Sequence, residues 1–148
     1  MPRLDAGRLS AWTALRAAVD DVTRRLDAEL RSEWAVPLGW FDVLAALRSL
    51  GGRGRPQDVA AAMGIPPSSL SRRLDRLEEE GWVARHRGVD PADHRAVMIE
   101  LTARGRTLWR EMNVTYRRAV NAHFASALAD EQVTALTGSV ERLKRDRP

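Results

Sequence analysis

Hydrophobic residues recur at intervals of three and four along the first part of the chain, between Leu9 and Leu30. They are Trp12, Leu15, Val19, Val22 and Leu26. A narrow apolar stripe with charged residues on the remaining faces is typical of a helix that packs against another helix. The pattern therefore predicts a long first helix, whose stripe is covered either by its own chain or by a second subunit.

A second helix is predicted directly after Pro37, because proline interrupts the first helix and apolar residues then resume at helical spacing. Phe41, Leu44 and Leu47 are expected to face the core. Three glycines, Gly51, Gly52 and Gly54, follow within four positions. We expect them to end the helix and to form a flexible connector.

Residues 56–76 have the pattern of two short helices joined by a tight turn. Val59, Ala60 and Met63 give the first helix a buried face, and Gly64 is placed to end it in a left-handed conformation. Ile65 is expected to turn back into the core before a second helix opens at Pro66-Pro67. On that helix the inward positions are Leu70, Leu74 and Leu77.

The opposite face of this second helix is polar and cationic. Its members are Pro67, Ser68, Ser69, Ser71, Arg72 and Arg76. Small side chains allow close approach to a DNA groove, and arginine binds guanine or phosphate through two parallel hydrogen bonds. This favours a DNA-reading helix-turn-helix. In an ordinary helical hairpin, Arg72 and Arg76 would instead pair with Glu79 or Glu80 on a solvated face.

A β-hairpin is predicted after the helix-turn-helix. Val97, Ile99 and Leu101 alternate with less buried positions, residues 83–87 can pair with them, and Asp-Pro marks the turn between. We expect the hairpin tip to carry Arg85, Arg87, His94 and Arg95 toward DNA. Asp93 is expected to orient Arg95, which suits a narrow minor groove. A helix-turn-helix followed by such a hairpin is a winged helix.

Two further helices are predicted near the C-terminus. Thr102 is a suitable N-cap for the first, and the second begins near Asp130. Their apolar positions are Leu108, Met112, Tyr116, Val120 and Phe124 in the first and Val133, Leu136, Val140 and Leu143 in the second. The predicted fold is mainly α with a small β-hairpin wing. Residues 36–101 form a winged helix-turn-helix, flanked by helical dimerisation regions at 1–35 and 102–148.

Composition restricts the function without deciding it. The 148 residues have a net charge of +4, yet residues 36–101 contain nine basic and nine acidic side chains, so only the placement of arginine favours DNA. The absence of cysteine excludes disulfides, thiolate metal sites and thiol switching. No apolar run approaches about 20 residues, and the N-terminus has no signal-peptide core. A soluble, cytoplasmic protein is expected.

Other classes of function have less support. The three histidines, His86, His94 and His123, lack the spacing of a metal site, and no nucleophile lies beside a base, so neither a metal, a cofactor nor catalysis is expected. Trp12 and Trp40 either pack in the core or bound a crevice between the outer helices and the winged helix that receives an aromatic effector. A winged helix that binds protein or RNA remains an alternative.

The segment from residue 77 to 108 resembles the MarR (multiple antibiotic resistance regulator) family. The similarity extends by motif from about Pro37 to Leu108. The matching positions are Leu74, Leu77, Gly81-Trp82-Val83, Arg85, Asp93-His94-Arg95, Leu101-Thr102 and Gly105. The resemblance implies a homodimeric transcription regulator, usually a repressor, that binds a pseudo-palindromic operator and is often released by a small aromatic molecule. A regulator that works without any ligand is the alternative.

Three positions depart from the family pattern. His94 stands where the wing of the family commonly has arginine. Pro66-Pro67 replaces the usual polar start of the second helix of the helix-turn-helix. Arg73 occupies a position that is often apolar in the family. The DNA sequence preference of other members is therefore not transferred to this chain.

Overall fold

The computed structural model describes residues 3–88 and 90–145. In this part of the chain, six α-helices, a short 3₁₀ helix and one antiparallel sheet follow one another. The helices are α1 (Ala6–Trp34), α2 (Leu38–Ser49), α3 (Pro56–Met63), α4 (Pro67–Glu79), α5 (Ala103–His123) and α6 (Asp130–Arg145), with the 3₁₀ helix at Ala125–Ala127. The strands are β1 (Arg53–Gly54), β2 (Val83–Arg87) and β3 (Val97–Leu101). The mainly helical fold with a β-hairpin wing is confirmed.

Pro37 marks the start of α2 as predicted, whereas α1 already ends at Trp34 and is followed by Ala35 with a left-handed φ of 55°. Pro37 adopts an extended backbone, with φ −63° and ψ 148°, and α2 begins at the next residue. The N–H of Leu38 donates to Asp27 Oδ1 at 2.9 Å, which satisfies one of the unpaired donors at the helix start. Phe41, Leu44 and Leu47 are almost completely buried, as expected.

The helix-turn-helix forms as its glycine and leucine pattern predicts. Gly64 ends α3 with φ +68°, a left-handed conformation that glycine adopts without strain. The N–H of Ile65 then donates to the carbonyl of Ala60 at 3.1 Å and leads the chain into α4. Leu70, Leu74 and Leu77 are at most 3% exposed, so α4 is anchored along one face.

The sheet has three strands in the order β1-β3-β2, all antiparallel. In the hairpin, Val83 pairs with Leu101 and Arg87 with Val97. The expected flexible connector at 51–54 is wrong, because Arg53 and Gly54 form an edge strand against β3. The N–H of Leu101 also donates to the carbonyl of Gly52 at 2.8 Å, which extends this backbone pairing.

The wing joins α5 through the predicted cap. Thr102 Oγ1 accepts a hydrogen bond from the N–H of Gly105 at 3.0 Å and donates to the carbonyl of Gly81 at 2.7 Å. One hydroxyl thus caps α5 and binds the turn that follows α4. Gly105 lies directly against the backbone of Trp82, where no side chain would fit.

The chain divides into two compact units. One comprises Asp27–Tyr116, and the other comprises the described residues up to Leu26 and from Arg117 onward. The first contains a core formed by α2, α3, α4 and the sheet. In the second, Trp12, Val19 and Leu143 are 57%, 55% and 67% exposed. The predicted division into a DNA-binding region and dimerisation regions remains a prediction, and residues 1, 2 and 146–148 of the latter lie outside the described residues.

Candidate nucleic-acid interface

The outer face of α4 presents small polar groups close to its N-terminus. Pro66 precedes the helix and Pro67 opens it, and neither residue has a backbone N–H that would need a partner at the helix start. Pro67, Ser68, Ser69 and Ser71 are all exposed. Because the buried leucines fix the opposite face, this turn is free to approach a duplex, whose major groove admits an α-helix.

The two arginines of this face differ in their intramolecular contacts. Arg76 pairs with Glu79 at 3.3 Å, and both side chains are about two-thirds exposed, so the pair is weak. The alternative in which a helix arginine pairs with Glu79 therefore applies to Arg76. Arg72 is exposed and has no hydrogen-bond or ion-pair partner among the described residues. Arg72 can contact a ligand without breaking an existing bond.

Arg73 lies between them in sequence but turns back toward α2. Its Nη1 donates to the carbonyl of Gly39 at 3.3 Å. Burial raises the pKa of the Asp42 carboxyl, and the charge of Arg73 partly opposes that rise. Burial and the charge of Asp42 together raise the pKa of Tyr116. The sequence showed only that Arg73 departs from a common pattern, since its partners are more than 30 positions away.

The wing tip carries three of the four predicted cations. Arg87, His94 and Arg95 are exposed at or beside the turn. Asp93 Oδ1 accepts a hydrogen bond from the backbone N–H of Arg95 at 2.9 Å. The contact of Asp93 is therefore with the main chain that positions Arg95, and its orienting role stays a prediction.

The expected position of Arg85 at the tip is wrong. Arg85 lies in the middle of β2, opposite Ile99, and its side chain is only 24% exposed. Its guanidinium pairs with Asp75 at 2.8 Å and with Glu78 at 3.5 Å, both on α4. These two carboxylates of α4 are close enough to hold the guanidinium there. Arg85 thus connects the wing to α4.

A second ion pair that the sequence did not reveal supports the wing from the other side. Arg55, which immediately precedes α3, binds the carboxylate of Asp90 in the wing turn. The second oxygen of Asp90 accepts from the N–H of Ala92 at 2.8 Å. The two charged residues are 35 positions apart, and no local pattern indicates their contact. Arg55 and Asp90 connect the start of the helix-turn-helix to the wing.

The two candidate effector-binding tryptophans belong to different compact units, and each is described separately. Trp40 packs edge-on against Trp82, with ring centroids 6.2 Å apart. It also lines a hollow of about 550 Å³ whose other walls include Arg72 and Arg76 of α4. Trp12 is 57% exposed, and the guanidinium of Arg16 lies 5.8 Å from its ring centroid.

Among the residues that the structure describes, neither a metal-binding cluster nor a membrane-spanning helix is found. No group of three or more histidine, cysteine, aspartate or glutamate side chains is arranged to hold a metal ion. No described helix is both long and apolar enough to cross a membrane.

A helix-turn-helix joined to an antiparallel hairpin, with serines and arginine on the free face of the second helix, defines a winged-helix DNA-binding protein. The family model described as the MarR family matches residues 36–96. The chain is also 33% identical over 152 residues to PecS, an HTH-type transcriptional regulator of Dickeya dadantii (strain 3937), with 95% of this chain and 82% of PecS covered. The chain belongs to the MarR family of non-enzymatic, DNA-binding transcriptional regulators.

Solved structures agree with this assignment. Sco3205, a MarR family transcriptional regulator from Streptomyces coelicolor crystallised in complex with DNA, superposes with a TM-score of 0.85 at 28% identity, covering 99% of this chain and 91% of that chain. AbsC, a MarR family transcriptional regulator from the same organism, gives a TM-score of 0.85 at 24% identity, covering 98% and 97%. At that identity AbsC supports the fold alone.

Proposed function

We propose that this chain is a homodimeric transcription repressor that binds a pseudo-palindromic operator and is released by a small aromatic molecule. The observation that carries the DNA-binding part is the free face of α4. Three leucines anchor the helix, while Ser68, Ser69, Ser71 and Arg72 are exposed on the other side. Sco3205, which has the same fold, was crystallised with DNA. A regulator that binds DNA acts where the chromosome lies, so we place the protein in the cytoplasm.

The proposal assigns different tasks to the helix and the wing. Arg72, together with Pro67, the serines and Arg76, reads base edges in the major groove. Arg87, His94 and Arg95 bind the flanking backbone and minor groove, where narrow segments attract cations. Arg85 contributes by holding β2 to Asp75 and Glu78 rather than by entering a groove.

The test separates base reading from backbone binding by measuring each variant on a cognate duplex and on a scrambled duplex. Arg72→Ala should lose about 1–3 kcal/mol of binding free energy on the cognate duplex and little on a scrambled duplex. Arg95→Ala should weaken binding to both duplexes by similar factors. It should also reduce the slope of the logarithm of the binding constant against the logarithm of the salt concentration by about 0.9. Arg104→Ala, an exposed arginine on α5 outside both surfaces, is the control. Wild-type binding by both test variants would contradict these assignments.

Dimerisation is proposed from apolar side chains that the chain itself leaves uncovered. On α6, Val140 is 38% exposed and Leu143 is 67% exposed. A second subunit that covers these stripes would remove them from water. We expect sedimentation equilibrium to give twice the chain mass for wild type and the chain mass for Val140→Glu. Val114→Glu, at a position 67% exposed on α5 and outside both stripes, should remain dimeric. A folded, operator-binding wild-type monomer would reject the dimer.

Effector release is proposed from the position of Trp40. An aromatic ligand in its hollow would contact Arg72 and Arg76 as well as the indole, so ligand and DNA would compete for the same side chains. Trp12 is proposed separately, as an exposed aromatic side chain of the other compact unit that could contact an aromatic molecule independently of this hollow. Such a ligand releases DNA only to the extent that it binds the free protein more tightly than the DNA-bound protein.

We expect aromatic acids or phenols to quench tryptophan fluorescence and to release operator DNA over the same concentration range. Trp40→Ala should retain DNA binding but lose release. Trp12→Ala tests the separate contact proposed for Trp12. If ligands quench fluorescence without changing DNA affinity, the pocket is adventitious and the proposed release mechanism is wrong.

Transcription of a reporter gene placed downstream of the operator distinguishes repression from activation. A dimer on the operator should lower transcription, because it occupies DNA that the polymerase requires. Transcription should return when Arg72→Ala replaces the wild type. A wild-type protein that raises transcription from the same reporter would show an activator.

A further inference from the structure

We propose that Asp27–Tyr116 carries a second ligand site, which binds a small organic anion through phosphate or carboxylate oxygens. This inference goes beyond the proposed function, whose effector lies at Trp40. The site is a hollow of about 410 Å³ between the end of α2 and the first turns of α5. Arg48, Arg106 and Arg110 line it, and we call it the arginine hollow.

The charges of the arginine hollow are not compensated. Its lining contains no carboxylate, and none of the three guanidiniums has a hydrogen-bond or ion-pair partner among the residues that the structure describes. Several other arginines of this chain pair with carboxylates, as Arg25 does with Asp21 at 2.9 Å. Three uncompensated cations around one cavity repel each other, and a multivalent oxyanion would relieve that repulsion while accepting charge-assisted hydrogen bonds.

The guanidiniums of two of these arginines lie against other groups that line the hollow. Gly52 has φ +96°, and a Cβ on it would lie 3.0 Å from Arg106 Nη2, so the guanidinium sits directly over the glycine. The guanidinium of Arg48 lies 5.4 Å from the ring centroid of Trp109, a cation–π contact. Donors that are already positioned lose less conformational entropy when they bind a ligand.

The dimensions of the hollow suit a metabolite. Its volume is within the range of small-molecule sites, and Trp109 adds an apolar surface on which an organic body can rest. Gly52 precedes β1, whereas α4 packs against β2 at the other edge of the sheet. A ligand in the arginine hollow therefore does not occupy the free face of α4.

The experiment uses pyrophosphate as the probe, in a phosphate-free buffer at constant ionic strength. Isothermal titration and thermal denaturation are run on wild type, on Arg106→Gln/Arg110→Gln, and on Arg104→Gln/Arg117→Gln. The last is the control, because it removes two exposed charges of the same helix outside the hollow. We expect one pyrophosphate per chain, a raised Tm in wild type and control, and binding at least about tenfold weaker in the test variant.

Equal binding by test and control variants, or no saturable binding by wild type, would overturn the proposal. If the double variant fails to fold, Arg110→Gln alone should still weaken binding by about tenfold. Operator DNA identifies the other source of phosphate. If the test variant lowers the salt slope of DNA binding by about 0.9 per arginine relative to the control, the hollow binds the DNA backbone and the small-anion assignment is wrong. We expect the two slopes to agree.

Discussion

The junction between α4 and α5 should be sensitive to a single methyl group. A Cβ added at Gly105 would lie 2.0 Å from the carbonyl oxygen of Trp82, although real Cβ atoms essentially never approach other atoms within 3.0 Å. Backbone must therefore move by about 1 Å at the point where Thr102 caps α5 and binds Gly81. Overpacking of this kind costs about 1–3 kcal/mol or more, against a helix-propensity gain of about 1 kcal/mol.

Because backbone atoms yield less than side chains, the cost lies at the upper end of this range, and after the propensity gain we expect Gly105→Ala to lose about 1–2 kcal/mol of unfolding free energy net. At about 2–4 °C per kcal/mol, the Tm should fall measurably. Gly138→Ala is the matched control, because nothing lies within 4 Å of its added Cβ in α6. It should gain up to about 1 kcal/mol. Urea unfolding of both variants measures the difference, and equal stability of the two would refute the proposed clash.

Three other contacts give direct predictions. A double-mutant cycle on Arg85→Ala and Asp75→Ala should give a coupling of about 0.2–1 kcal/mol, and no change in the salt slope for DNA; a reduced slope would mean that Arg85 contacts phosphate. Asp42→Asn should stabilise the protein at pH 7 but not at about pH 3. Folding raises the pKa of the Asp42 carboxyl, so the folded state binds more protons than the unfolded state. The wild-type stability therefore falls as the pH rises through the folded pKa, and Asn avoids that loss. Arg55→Ala and Asp90→Ala should weaken operator binding to the same extent, because each removes the same ion pair. Fluorescence anisotropy measures the two affinities.

The helices were predictable because their evidence is local. Apolar spacing located the leucines of α4, and Gly64 and Thr102 marked a helix end and a helix start through their own backbone and hydroxyl chemistry. The hairpin was predictable for the same reason, since alternation in β3 and an Asp-Pro turn are short-range features.

The errors concern contacts between distant parts of the chain. A two-residue strand has no periodicity of its own, and β1 exists only because β3 lies beside it, so three glycines were interpreted as a flexible connector. Arg85 was placed at the wing tip because its charge suited DNA. The two carboxylates that hold it lie on another element, and sequence spacing does not reveal the contact.

We propose that the free face of α4 reads an operator as part of a dimer. Selection of duplexes from a random library by the purified protein tests it most directly. We expect an enriched motif with two inverted half-sites about one helical turn apart, roughly 34–36 Å between centres. Arg72→Ala should lose preference at one base position in each half-site, while Arg104→Ala should select the wild-type motif. No enriched motif, or an unchanged motif for Arg72→Ala, would contradict the account.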